Sequence, residues 1–199
     1  MRVKTQTKRD AITKAASAVF LEMGYERASM AEISARVGGS KATLYSYFPS
    51  KEALFMEISC GAARHHIDQI FMALEQQTGD LRQTLCKFGT DFLALICSES
   101  SIQVYRAVIA ESGRSDIGKQ FYEMGPQMGM MEIGHLLNQQ MDAGTLRRAD
   151  PQVAARHLLA LLTSETVDPC LFGDKTMEPA FLKQATERAI DVFFRAYAA

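Results

Sequence analysis

Apolar residues in this 199-residue chain recur three and four positions apart, in blocks punctuated by glycine and proline, and no run alternates apolar with polar residues over the length of a strand. A chain patterned in this way can hide its apolar side chains only by packing helix against helix. The fold class is therefore all-α, with about nine helices. A first helix is expected from about Thr7 to Met23, where Ile12, Ala16, Val19, Phe20 and Met23 share a face, and Gly24 ends it. Two short helices follow, then a long one from about Ser50 to Gln77 whose buried stripe is Leu54, Phe55, Ile58, Ile67, Ile70, Phe71 and Leu74. Beyond the Thr78-Gly79-Asp80 break, helices are expected at about Leu81 to Ser98, Ser101 to Ser112, Ser115 to Met124 and Gln127 to Ala143. Asp150-Pro151, a cap followed by a first-turn proline, opens another to about Leu171, and Pro179 opens the last, to about Tyr197. Residues 1–52 read as a head and 53–199 as a helical body.

The head carries the more specific signal. Ser29 and Glu32 have capping-box spacing, so a helix should begin near Met30. Ile33 and Val37 lie on one face of it, Gly38-Gly39 supplies the permissive backbone for a sharp turn, and Ser40 can cap the next helix. There Leu44 and Phe48, four apart, can pack back on Ile33 and Val37, leaving Lys41, Ala42, Thr43, Tyr45 and Tyr47 outward. Those side chains suit a DNA duplex. Lysine offers a charge to a phosphate or a guanine edge, the Ala42 and Thr43 methyls can meet a thymine methyl, and the phenols can reach phosphates or bases. Pro49 stops this helix, and Lys51, in the first turn of the next, is the expected phosphate clamp. An ordinary helical hairpin with surface tyrosines would carry the same helix-turn-helix spacing.

Read through to the next helix, Ser40-Lys41-Ala42-Thr43-Leu44-Tyr45-Ser46-Tyr47-Phe48-Pro49-Ser50-Lys51-Glu52-Ala53-Leu54-Phe55 resembles the head of the TetR/AcrR family of bacterial transcriptional regulators, the likeness covering roughly Thr7 to Phe55. The resemblance implies a double-stranded DNA operator as partner, with Ser29, Ser40, Lys41, Ala42, Thr43, Tyr45, Tyr47 and Lys51 at the DNA. One departure is Gly39, where the family usually has a small apolar residue, and it could loosen the angle between the two helices.

In the body, the last two expected helices carry Val153, His157, Leu158, Leu161 and Leu162 on one and Phe181, Leu182, Ala185, Ala189, Ile190, Phe193, Phe194 and Tyr197 on the other, more apolar face than one surface helix needs. In the family that the head resembles, these helices form a four-helix bundle with those of a second copy, so His157, Leu158, Leu161, Ile190, Phe193, Phe194 and Tyr197 are the expected homodimer interface. Met124, Met128, Met130, Met131 and Met141 lie near Phe121 and Tyr122, soft side chains that could line a cavity or simply fill a core. Family bodies commonly hold an inducer between helices. The expected walls are Phe88, Phe92, Tyr105, Ile109, Met124, Met128 and Met131, with Arg106 as a polar anchor, for a small apolar or aromatic molecule.

Charge follows the same division: residues 1–52 hold nine Lys and Arg against five Asp and Glu, and the remainder carries a net −5. Cys60, Cys86, Cys97 and Cys170 show no paired spacing and are expected as buried free thiols, which with no signal-like start and no long apolar run points to the cytoplasm and no membrane span. His65 and His66 face different ways on a helix, and His135 and His157 lack partners at helical spacing, so no metal is expected. No nucleophile elbow or phosphate-cradling loop occurs, so catalysis is not expected, nor is a cofactor. The reading is a homodimeric, inducer-released repressor binding a palindromic operator. Its rival is a helical ligand-binding protein or enzyme whose head merely packs.

Overall fold

A computed structural model describes residues 5–75, 79–173 and 177–199, without the side chains of 59–66, 68, 73 and 75; the expectations for Arg2, Lys4, Cys60, His65, His66, Gln77 and Thr78 lie outside the described residues. Among the described residues there are eleven helices and no strand: α1 (Gln6–Arg27), α2 (Met30–Val37), α3 (Lys41–Tyr47), α4 (Lys51–Glu75), α5 (Leu81–Ile96), α6 (Glu99–Glu111), α7 (Ile117–Met124), α8 (Pro126–Asp142), α9 (Pro151–Thr163), α10 (Val167–Phe172) and α11 (Pro179–Tyr197). The all-α class is as read from the sequence. None of these helices is long and apolar enough by itself to cross a membrane.

Capping residues set most of the boundaries. Thr5, Ser29, Ser40, Asp80, Ser98 and Asp150 each accept from a backbone N–H of the helix they precede, and Ser50 Oγ accepts from Ala53 at 3.1 Å. Of the box expected at α2, the serine half is formed, with Glu32 N–H donating to Ser29 Oγ. Gly24, at φ 75°, breaks the regular course of α1 where its end was expected, and one further helical turn then continues to Arg27. The segment expected as one helix from Pro151 to Leu171 is two. Pro169 has no N–H to give, and its ring would collide with the Glu165 carbonyl in an unbroken helix, so the chain turns at 164–166 and restarts as α10.

Three apolar clusters organise the molecule. In the head, Ile12, Ala16 and Val19 of α1 meet Ile33, Leu44 and Phe48, and Leu54 from the start of α4 joins them. α4 thus runs without interruption across residues 52 and 53, with its first turns in the head core. In the body, α11 lies on α5 and α9, and α8 lies on α9, around Leu85, Phe88, Leu137, Leu158, Leu162, Ile190 and Phe193. Between them, Tyr25, Phe55, Met56, Val108 and Ile117 form a smaller cluster that joins head to body.

Close packing at the centre of the body depends on Gly89. A Cβ there would lie 2.7 Å from both Leu162 Cδ2 and Thr186 Cγ2, and both neighbours are fully buried. Gly89→Ala should therefore melt several degrees lower, because overpacking of about 1–3 kcal/mol exceeds the roughly 1 kcal/mol of helix propensity gained. A melting temperature unchanged or raised would mean that α11 can shift away from α5.

Candidate nucleic-acid interface

The two helices expected to read DNA are joined through a left-handed cap. Gly38, at φ 69° and ψ 47°, sits in the backbone region that favours glycine, and its N–H donates to the Ala35 and Ser34 carbonyls. Gly39 does not leave the turn loose. Ser34 Oγ donates to the Gly39 carbonyl at 2.8 Å, Gly39 N–H returns to the Ser34 carbonyl, and Lys8 Nζ lies 3.7 Å from where a Gly39 Cβ would be. Lys8 Nζ thus stands within ordinary contact of the turn, at one wall of a hollow also lined by Ser34, Val37, Ser40 and Thr43.

On α3 the inward pair is Leu44 and Phe48, both in the head core, as the four-residue spacing required. Outward, Lys41, Ala42 and Tyr45 are exposed, and among the described residues nothing hydrogen-bonds or pairs with the Lys41 ammonium or the Tyr45 hydroxyl. Ser29 and Ser40 are exposed caps, and the Ser40 hydroxyl also lies 2.9 Å from Thr43 Oγ1. Tyr47 is half-buried, its hydroxyl accepting from the Thr5 N–H at 2.9 Å, which fastens the entry of α1 to α3.

Two cations of the head have structural tasks. Arg9 Nη2 lies 2.8 Å from the Glu57 carboxylate, and its guanidinium stands 4.7 Å over the Phe48 ring, fixing α1 to α4. Lys51 is half-buried: its ammonium donates to the Tyr25 carbonyl at 3.0 Å and, more loosely, to that of Glu26, and stands 4.1 Å over the Tyr25 ring. It therefore caps the end of α1.

The junction beneath this site was missing from the sequence reading. Tyr25, Phe20 and Phe55 form an aromatic triad with centroids 4.7 to 5.8 Å apart, and the Tyr25 hydroxyl donates to Glu52 at 3.2 Å. Burial first, then the charge and hydrogen bond of Glu52, hold the Tyr25 phenol well above its ordinary pKa. Burial works against the Glu52 carboxylate, but its own backbone N–H, the Ser50 hydroxyl and Tyr25 outweigh it and keep the pKa low. From the body, Arg114 reaches Glu26 at 2.8 Å.

The residues expected to wall a ligand pocket do not converge. Phe88 is buried and stacks on Phe92, Tyr105 meets Phe121 edge-on, and Ile109, Met124, Met128 and Met131 are exposed. Arg106 is engaged elsewhere: its guanidinium donates to the Cys170, Leu171 and Gly173 carbonyls at 3.0, 2.9 and 2.6 Å, capping α10.

Most of the expected dimer residues are packed into the protomer's own core. Leu158, Ile190, Phe193 and Tyr197 are interior to the protomer, and Leu161 and Phe194 pack against that core, Phe194 beneath Arg82 of α5 at 4.9 Å. The strongest apolar stripe of each helix went to its own core. What faces outward is a milder flank. Glu165 pairs with Arg188, and His157 Nδ1 lies 2.6 Å from the Tyr197 hydroxyl, so α9 and α11 run antiparallel. Their exposed sides carry Val153, His157 and Ala160 on one and Phe181, Val192 and Ala196 on the other.

Comparison with known proteins bears on both halves. The profile for bacterial regulatory proteins of the tetR family matches residues 12–58, and the one for the C-terminal domain of AefR-like transcriptional repressors matches 83–199. The HTH-type transcriptional activator FasR of Mycolicibacterium smegmatis is 34% identical over 110 residues, 54% of this chain and 48% of that protein, so the match spans about half of the relative's length. Among solved structures, one described as a TetR-family transcriptional regulator from Mesorhizobium loti superposes with a TM-score of 0.86 at 26% identity, covering 98% of this chain and 100% of the other. The flavonoid-responsive regulator FrrA does so with a TM-score of 0.78 at 29% identity, covering 98% of each chain.

Proposed function

The chain belongs to the TetR family of bacterial regulatory proteins, a family of transcriptional regulators and not enzymes, and from that premise we propose that it works in the cytoplasm as a homodimeric repressor that a small apolar or aromatic inducer releases from a palindromic operator. The observation that carries the DNA contact is the outward face of α3: Lys41 and Tyr45 stand exposed on a capped, well-anchored helix, with no role in holding the head together. A dimer offers two such helices to two half-sites, which is why a palindrome is the expected operator form.

The test is selection of binding sites from genomic DNA followed by titration with salt. Lys41→Ala and Tyr45→Ala should change which bases are preferred, since their side chains face the groove. Lys51→Ala should flatten the salt dependence by about one unit of slope, a phosphate contact being blind to sequence. It should also lower the melting temperature, because it removes the tie to Tyr25 and Glu26. Identical base preferences in wild type, Lys41→Ala and Tyr45→Ala would remove α3 as the reading element.

For the inducer, support comes from FrrA, which is named as flavonoid-responsive, and from the aromatic run Phe71, Phe88 and Phe92 between α4 and α5. A ligand there acts on the head through α4 and through the cluster around Tyr25, Phe55, Val108 and Ile117. It releases DNA only insofar as it binds the released arrangement more tightly, and operator DNA must weaken ligand binding by the same factor. A thermal-shift screen of flavonoid-like compounds checks this, with hits expected to displace operator in the same concentration range. Because FasR is named an activator, activation is the second reading, and the operator's position relative to the promoter decides between the two.

A further inference from the structure

We propose that the outward face of α8 is a binding site for a soft monovalent cation, copper(I) or silver(I), with Met131 and His135 as its principal ligands and Met128 as the third. All three lie in the unbroken helix Pro126–Asp142, Met128 and Met131 three residues apart and Met131 and His135 four. At 3.6 residues per turn they fall within about 60° of one another around the helix axis. Successive members then stand about 5–6 Å apart at Cβ, which long side chains bridge through one ion. Helical side chains lean towards the N-terminus, so the His135 imidazole leans over the turn that carries Met131. One turn further on, Gln139 Nε2 lies 3.0 Å from His135 Nε2. With that amide turned over, its oxygen accepts from the His135 Nε2–H and leaves Nδ1 free of a proton to ligate.

These side chains have no part in the core. Met128 is 52% exposed and Met131 57%, His135 is exposed as well, and α8 packs on α9 through its other face, with Ile133, Leu137 and Met141. The donor set decides the class of ion. Among the described residues no three histidine, cysteine, aspartate or glutamate side chains are grouped to hold a metal, so a zinc or calcium ion lacks a site. Thioether sulfur is a soft ligand, and two thioethers beside one imidazole select copper(I) and its heavier analogue silver(I) over divalent ions. Glu132, exposed on the same face and three residues before His135, adds a negative charge beside the cation. The expectation of no metal at His135 gives way here, since Met131 and Glu132 do lie at helical spacing from it.

The test is NMR of the full chain with isotope-labelled methionine methyl groups, its accessible thiols first blocked with N-ethylmaleimide so that they do not compete for the ion. Silver nitrate should shift the methyl signals of Met128 and Met131, assigned through Met128→Leu and Met131→Leu, and leave those of the buried Met30, Met56 and Met141 in place. Copper(I) kept reduced by ascorbate should reproduce the shifts, and zinc chloride should not. His135→Gln should cancel the Met131 shift at the same silver concentration, and Gln139→Ala should weaken silver binding several-fold. Unmoved Met128 and Met131 signals under silver, or the same shifts with zinc, would overturn the proposal. A Met131 shift retained in full by His135→Gln would overturn the shared site, because each thioether would then bind silver by itself.

Discussion

Val192→Glu should give a folded chain that sediments as a monomer and no longer holds its operator. Val192 is 48% exposed on α11, which packs beside α9, whose exposed side carries Val153, His157 and Ala160. In the isolated protomer a carboxylate at that position meets water, and a surface exchange of this kind changes stability by no more than about 0.5 kcal/mol. In a two-fold dimer the same flank meets its own copy, so each carboxylate is desolvated against an apolar neighbour and the substitution acts twice. Dissociation then leaves each head to bind alone, and the loss of bivalency weakens operator binding by about 10²- to 10⁴-fold. Sedimentation equilibrium, thermal melting and operator titration on one preparation check the three parts. A dimer that persists at micromolar concentration with Val192→Glu would move the interface away from α9 and α11. Phe194→Glu would not discriminate, because Phe194 packs on Phe193 and beneath Arg82, so a charge there damages the protomer as well.

The residues that were legible in sequence are those whose role is local. Ser29, Ser40 and Asp150 announce helix starts because a cap acts within three residues of itself, and Gly38 announces a turn because only its own backbone has to adopt the left-handed form. The spacing of Ile33, Val37, Leu44 and Phe48 fixed which side of α3 is inward, hence which is free for DNA. Pro169 carries a local signal of the same kind, because a proline so deep in a helical stretch argues for a break. What stayed hidden depends on partners remote in sequence. Arg106 looked like a cation available for a ligand until α10 came to lie across it, and Lys51 looked like a free clamp until the end of α1 met it.

That the larger apolar flank of α11 packs into its own protomer was hidden for a related reason, and Phe193→Ala exposes it. A helix with two apolar flanks shows the same periodicity whichever flank turns inward, and the larger side chains drew the expectation towards the interface. Phe193 is in fact fully buried within its own protomer, its ring 4.8 Å from that of Tyr197 and edge-on to Phe194. Truncation to alanine removes an aromatic ring from a packed core and leaves a cavity that Leu158 and Ile190, held on separate helices, can fill only in part, at a cost of about 3–5 kcal/mol. For a chain of this length that corresponds to a fall of roughly 10 °C or more in melting temperature. The two substitutions on α11 should differ in how melting responds to concentration. Val192→Glu should abolish the rise of melting temperature with protein concentration that a dimer shows, while Phe193→Ala should shift the whole series downward and preserve its slope. If Phe193→Ala instead yielded a stable monomer with an unaltered protomer melt, Phe193 would belong to the interface and α11 would have to be rotated about its axis in the dimer.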